Sequence, residues 1–237
     1  KPINTYSDEE ITALMNANPD SFLHIILHDE KERKLKLDER FKKTKELFEY
    51  AIKQGIFVQS TSDAFYVYRQ TNGENSYCGI IGGAHAKDYQ KGKIKKHELT
   101  LNKREKLFTK YLTLTGFNAE PVLLVYPKVE ALSNVINEII SSAPIHNFVS
   151  EDNIKHELWE MADPEKIELI EQSFEKIPSV YIADGHHRSA SSNRLSLLNR
   201  EKESTQYIMS LFMSDEAVQI YDYNRVIKNS ENLSFAE

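Results

Sequence analysis

The chain has 237 residues, a formal net charge of -6 and one cysteine, Cys78. Its acidic balance argues against nucleic acid as a partner, because that binding needs a basic surface to displace counterions. A lone cysteine excludes an intramolecular disulfide and fits a reducing cytoplasm, and no apolar run approaches the ~18 residues of a membrane span. With 40% hydrophobic and 28% charged residues, the chain has the composition of an ordinary soluble globular protein.

In chain order, Ser7 and Glu10 form a capping box for a short helix that ends at Asn18-Pro19. The apolar run Ser21–Leu27 reads as a buried strand. Leu37, Phe41, Phe48, Ala51 and Ile52 lie on one helical face, with Gly55 as the stop. Ala64–Thr71 and Tyr77–Ala86 read as a hairpin with a loop longer than two residues. Gly79, Gly82 and Gly83 in its second strand mark a bulge or a close backbone approach.

Asp88–Thr100 is a polar loop with Lys91, Lys93, Lys95 and Lys96. A helix follows over Asn102–Thr115, with Leu107, Phe108, Tyr111 and Leu112 inward. Pro121–Tyr126 is a continuous apolar strand suited to a sheet centre. Leu132, Val135, Ile136, Ile139 and Ile140 define an amphipathic helix closed by Pro144. Ile145–Val149 and Ile154–Met161 are strands. Asp163-Pro164 starts a helix with Ile167, Ile170, Phe174 and Ile177 buried. Val180–Ala183 is a strand, a helix follows it, and Gln206–Met213 and Val218–Ile227 are further strands. There is no internal repeat and no flexible linker. The reading is one mixed α/β domain over residues 1–237, with a mixed sheet, a hairpin and flanking helices.

The densest polar stretch is Asp184-Gly185-His186-His187-Arg188, where a strand ends and a helix begins. Ligands of α/β folds gather at the carboxyl ends of strands. A helix N-terminus offers free N–H groups and a positive dipole end to an anion. Gly185 permits a sharp turn, and Arg188 can hold two phosphate oxygens. His186 and His187 can donate hydrogen bonds to phosphate or act as acid or base. Ser189, Ser191 and Ser192 add hydroxyls. Asp184 can bind Mg²⁺ or accept a hydroxyl proton. The bland alternative is a helix cap at Asp184 with Arg188 as its surface partner; it leaves the two histidines unexplained.

A second constellation is Lys95–Thr100. Glu98 is a candidate general base and His97 its polar partner, and Thr100 and Arg104 are candidate substrate contacts. A solvated loop leading into a helix is the competing reading. Tyr66, Tyr68, Arg69 and Gln70 form a third group, read mainly as strand packing, with Arg69 kept as a substrate candidate. Cys78 is buried filler. The zinc spacings, the Walker loop, the dinucleotide glycine fingerprint and the esterase elbow are all absent.

YVYRQ at Tyr66–Gln70, GIIGGAHAKDYQKGKIKKHELT at Gly79–Thr100, EPVLLVY at Glu120–Tyr126 and YIADGHHRSASS at Tyr181–Ser192 stand in this order. Together they resemble the uncharacterised bacterial and archaeal family DUF1015. Members are longer, so the resemblance implies that both ends are incomplete. The family's His-Arg near the last strand stands here as Asn224-Arg225.

The strand, Asp-Gly-x-His-Arg and helix together also resemble, more distantly, the phosphate-binding corner of the ParB/sulfiredoxin-like group. That group includes sulfiredoxins, CTP-binding partition proteins and kinases of free serine. The resemblance implies a ParB/sulfiredoxin-like core, with Gly185, His186, His187, Arg188 and Ser189 on nucleotide phosphates and Asp184 beside them. It further implies ATP or ADP with Mg²⁺ as cofactor and phosphoryl transfer to a small hydroxylated metabolite, L-serine first. A non-catalytic nucleotide-binding module and a phosphoester hydrolase are the alternatives.

Overall fold

A computed structural model describes residues 6–27 and 34–222. Its frame is a mixed eight-stranded sheet in the order β3-β7-β4-β8-β2-β1-β6-β5. The strands are β1 (Phe65–Asn72), β2 (Asn75–His85), β3 (Ile94–Lys95), β4 (Val122–Tyr126), β5 (His146–Val149), β6 (Lys155–Met161), β7 (Val180–Asp184) and β8 (Tyr207–Ser214). Among the described residues there are eight α-helices: α1 (Asp8–Ala17), α2 (Leu23–Ile26), α3 (Leu37–Lys53), α4 (Ala86–Gln90), α5 (Asn102–Thr115), α6 (Glu130–Ile140), α7 (Pro164–Lys176) and α8 (His186–Leu198).

The mixed α/β class read from the sequence is the class observed. The capping box at Ser7 forms, with Ser7 Oγ accepting from Glu10 N–H at 3.2 Å and Glu10 Oε2 accepting from Ser7 N–H at 2.7 Å. Asp163 caps α7 with Pro164 in its first turn. In β4, Val122, Leu124 and Tyr126 are all nearly inaccessible, as expected of a central strand. Phe174 of α7 packs on Tyr126 of β4 and Phe212 of β8, so α7 seals that part of the core.

The structure departs from the sequence reading at several places. Ser21–Leu27 is not a strand. It contains the short helix α2, whose His24 Nε2 binds the carbonyls of Met15 and Asn18. Phe22 meets the rings of Phe57 and Phe117, so the partners of this segment are helix ends and loops, not a strand. An apolar run of this length does not distinguish the two conformations. The β1–β2 loop is only two residues, Gly73 and Glu74, since Asn72 pairs with Asn75. Pairing through Gly79, Gly82 and Gly83 is continuous, which removes the bulge. Close approach explains two of these glycines. A Cβ on Gly79 would stand 2.5 Å from the Phe212 carbonyl oxygen, and one on Gly82 would stand 2.6 Å from the Phe65 ring.

The stretch read as the polar loop Asp88–Thr100 holds the end of α4 and β3, which bury Tyr89 and Ile94. In α5 the inward residues are Thr109 and Thr115, while Leu107 and Phe108 are exposed. The reason is α8, which meets α5 with buried Ser and Ala residues and draws the two backbones close. Residues 218–222 form no strand. β8 already has β4 and β2 on its two sides, so it offers no free edge. Residues 223–227, with Asn224-Arg225, lie outside the described residues.

Candidate functional site

The site is assembled by the neighbours of β7. β3 runs parallel to it, Lys95 opposite Tyr181, so both strands leave the sheet at the same end. That carries His97 and Glu98 over the start of α8. β4 runs antiparallel, Leu123 opposite Asp184, so its entry at Glu120-Pro121 reaches the same end. The register slips there, because Leu123 faces Asp184 while Leu124 faces Ile182. Ala183 is thus one extra residue in β7, and such a bulge re-aims the residues after it, here Asp184 and Gly185.

Gly185 adopts φ 96°, a left-handed conformation open to glycine, and is the N-cap residue of α8. Asp184 is therefore not the cap, which corrects the bland reading. Among the described residues no side chain caps α8. The N–H groups of its first turn lack intrahelical partners and carry the positive end of the dipole.

The Arg188 guanidinium folds back beside Gly185. It binds the carboxylate of Asp184, lies 2.6 Å from Glu120 Oε2 and donates to the Pro121 carbonyl at 2.9 Å. The surface pairing of Asp184 with Arg188 considered in the sequence is thus present, with Glu120 as a third member. Both carboxylates are 71% exposed, so an incoming anion can compete with them for the guanidinium.

His186 is buried. Its Nε2 accepts from the His97 N–H at 3.4 Å, and its Nδ1 lies 3.7 Å from Glu98 Oε2. The two imidazoles meet edge to face at 4.3 Å. Acceptance at Nε2 puts the proton of the neutral ring on Nδ1, facing Glu98. Burial, and then the neighbouring His97, pull the His186 pKa below its ordinary value, against the opposing pull of Glu98 and Asp184. His187 is half-buried; its Nδ1 and the fully buried Ser189 Oγ have no hydrogen-bond partner among the described residues.

The remaining candidates divide. Thr100 binds the Glu105 carboxylate, and Arg104 is exposed on the first turn of α5, so both stay near the loop that bears Glu98. Ser191 Oγ donates to the His187 carbonyl of its own helix at 2.6 Å, with the Glu105 carbonyl of α5 at 3.2 Å, and Thr109 Oγ1 likewise donates within α5 to the Glu105 carbonyl at 2.7 Å, so both hydroxyls are spent at the α5–α8 contact and Ser191 is no phosphate donor. Arg69 is not brought to the site. β4, β8 and β2 separate its strand from β7, roughly 19 Å at ~4.8 Å per strand. It pairs with buried Glu157 at 2.8 Å and lies over Trp159. Tyr68 bonds His156 across β1 and β6, the packing role read for its group. Burial pushes the Cys78 thiol up to about 11, as suits an inert side chain.

Among the described residues no group of three His, Cys, Asp or Glu could hold a metal ion. Asp184 alone fits a Mg²⁺ ion that arrives on phosphate oxygens, not a resident ion. Glu120, the Pro121 carbonyl and the Ala183 bulge were missed in the sequence. They join the site only through strand pairing, and no local pattern marks them.

A cleft of about 240 Å³ opens beside Arg188, between α5, α8 and β4. Phe108, Tyr111, Leu112, Val122 and Met209 form its apolar wall, and Asn118 and Glu120 stand on its lining. A larger cavity of about 440 Å³ lies at the other end of β7, around Val180, Phe174 and Phe212. It contains none of the Asp184–Arg188 residues, so size does not locate the chemistry here.

Fold and site define an α/β protein in which a sheet strand ends in a glycine-capped helix start flanked by Arg188, His186 and Glu98. No helix among the described residues is long and apolar enough to cross a membrane. The chain belongs to the DUF1015 family, described as a protein of unknown function, whose family model matches residues 1–237. No curated protein and no solved structure matches the chain.

Proposed function

We propose that the protein is a nucleotide-dependent phosphotransferase acting on the hydroxyl of a small metabolite, with L-serine as the first acceptor to test. The observation that carries this reading is the convergence of Glu98, His186 and Arg188 around a helix N-terminus without a side-chain cap. The residue-level likeness to ParB/sulfiredoxin-like phosphate-binding corners supports it as well.

In this reading the first-turn N–H groups of α8 and Arg188 hold the phosphates of ATP or ADP. Phosphate takes the place of Glu120 on the guanidinium, since an exposed carboxylate pair is worth only about 0–1 kcal/mol. Ser189 and His187 supply further hydrogen bonds. Glu98 accepts the proton of the acceptor hydroxyl as its oxygen forms the new P–O bond. The bridging P–O bond breaks, and the nucleotide leaves one phosphate shorter. His186, whose Nδ1 stands 3.7 Å from Glu98 Oε2, holds that carboxylate over the helix start electrostatically. Asp184 would be the one protein carboxylate to hold a Mg²⁺ ion carried in on the phosphates, and that ion would supply charge neutralisation. A cytoplasmic setting, where nucleotides are abundant and Cys78 stays reduced, fits the same reading.

One observation favours a second reading. Arg188 is already held by two carboxylates, so phosphate binding that releases Asp184 and Glu120 could act as a regulatory signal without turnover.

Incubation with Mg²⁺, serine and ATP or ADP is expected to yield phosphoserine. Arg188→Ala should weaken nucleotide binding roughly tenfold or more, as expected for loss of a charge-assisted contact. Glu98→Gln should abolish turnover while binding persists. No product with either donor, across a panel of hydroxy amino acids and sugars, sinks the kinase reading. Nucleotide binding that persists without product leaves the regulatory one.

A further inference from the structure

The cleft beside Arg188 has no role in the phosphate chemistry, yet the guanidinium belongs to both. Its wall is built from Phe108, Tyr111 and Leu112 of α5, Val122 of β4 and Met209 of β8, and Ser192 of α8 also lines it. Val122 also borders the anion corner. Its Cγ2 stands 3.3 Å from where a Gly185 Cβ would be. A ligand anchored by phosphate at Arg188 therefore has its next atoms at the mouth of this cleft.

The size of the cleft decides which part of a ligand it takes. At about 240 Å³ it is smaller than the roughly 300–1,000 Å³ of pockets that enclose a whole drug-sized ligand. It fits one ring system, with the rest of the ligand outside. The chemistry of the lining points to a flat heteroaromatic ring. Phe108 is 39% exposed and offers a face on which a base can stack. Asn118 provides both an amide donor and an acceptor, the pair needed to read a base edge. A purely aliphatic tail would have no use for that amide.

We infer that this cleft is the base subsite of the nucleotide whose phosphates bind at Arg188. The inference rests on the anion reading of the α8 corner and narrows it. The phosphoryl donor is a nucleoside phosphate, not an inorganic polyphosphate or a phosphorylated acid. Phe108 is the stacking residue, and Asn118 the one that contacts the base edge.

The test is calorimetric binding of ATP and of inorganic tripolyphosphate to the intact chain, with Phe108→Ala and Ser192→Phe. Phe108→Ala removes a half-exposed ring without disturbing the core, so it remains informative if Ser192→Phe fails to fold. ATP is expected to bind the unaltered protein at least about tenfold more tightly than tripolyphosphate, from base stacking. Phe108→Ala, and Ser192→Phe by filling the cleft, should each weaken ATP several-fold and leave tripolyphosphate unchanged. Equal affinity for the two ligands, or ATP binding that ignores Phe108→Ala, overturns the base subsite while leaving the anion corner standing. Arg188→Ala separates the two levels. If tripolyphosphate binding is indifferent to it, the anion reading falls and the base subsite with it.

Discussion

His186 shows how burial sets the character of one side chain. It is enclosed on the first turn of α8, with His97 against its ring and Glu98 beyond Nδ1. Burial lowers its pKa in the folded state, so the native protein holds it neutral while the unfolded chain protonates it near 6.5. In the interval between the two values the unfolded state binds more protons, so stability rises with pH. The contribution is complete above about 6.5 and is lost as pH falls toward the depressed folded value. Thermal melts from about pH 7.5 down to about pH 5 should therefore show a decline that flattens in His186→Asn. An unchanged slope in that variant would refute the assignment. His186 was one of two adjacent histidines in the sequence, and nothing local told them apart. Both histidines were read as possible acids or bases, yet it is His186 that approaches Glu98, because the β3 segment lies over that side of the helix start.

At the scale of elements, strand β2 shows why glycine in a strand has two readings. Neither Gly79 nor Gly82 interrupts the pairing; both make room. The obstacles differ in kind. A methyl at Gly79 meets the Phe212 backbone carbonyl and the Met213 and Leu211 side chains, and backbone cannot yield without moving β8. A methyl at Gly82 meets only the Phe65 ring, which can turn aside. Overpacking costs ~1–3 kcal/mol, so Gly79→Ala should fall near the top of that range and Gly82→Ala near the bottom. Urea unfolding of the two variants checks the ranking, and equal losses would contradict it. The α5–α8 pair makes a related point. The small residues Ser189, Ala190, Ser191 and Ser192, whose serines were read in part as phosphate donors, largely serve a close helix contact, with the Ser191 and Thr109 hydroxyls satisfied first within their own helices.

Across the whole molecule, the sheet order separates what the chain order suggests is joined. Arg69 precedes the Gly79–Thr100 block closely in sequence, but its strand lies four positions from β7. Its partner Glu157 is 5% exposed and holds Lys155 as well, and Arg69 holds the carboxyl below the usual carboxylate range. Removing the guanidinium leaves a buried carboxylate with one partner fewer. Arg69→Met should thus cost about 1–3 kcal/mol of stability, with nucleotide affinity unchanged. Denaturant titration and binding, measured on the same variant, check both halves. A tenfold loss of affinity would return Arg69 to the site.

The sequence by itself determined the elements whose signals are local. The capped starts of α1 and α7, the apolar stripe of α6, the central strand β4 and the strand–glycine–helix corner at Asp184–Arg188 were all legible, because capping, periodicity and turn chemistry act over a few residues. Tertiary structure alone decided which of those pieces meet. Parallel pairing of β3 with β7 brought Glu98 to His186, antiparallel pairing of β4 brought Glu120 to Arg188, and the Ala183 bulge re-aimed Asp184. Strand order also removed Arg69. These contacts depend on register and on hydrogen bonds between residues far apart in sequence, 89 positions for His97 and His186, and a local pattern does not encode them.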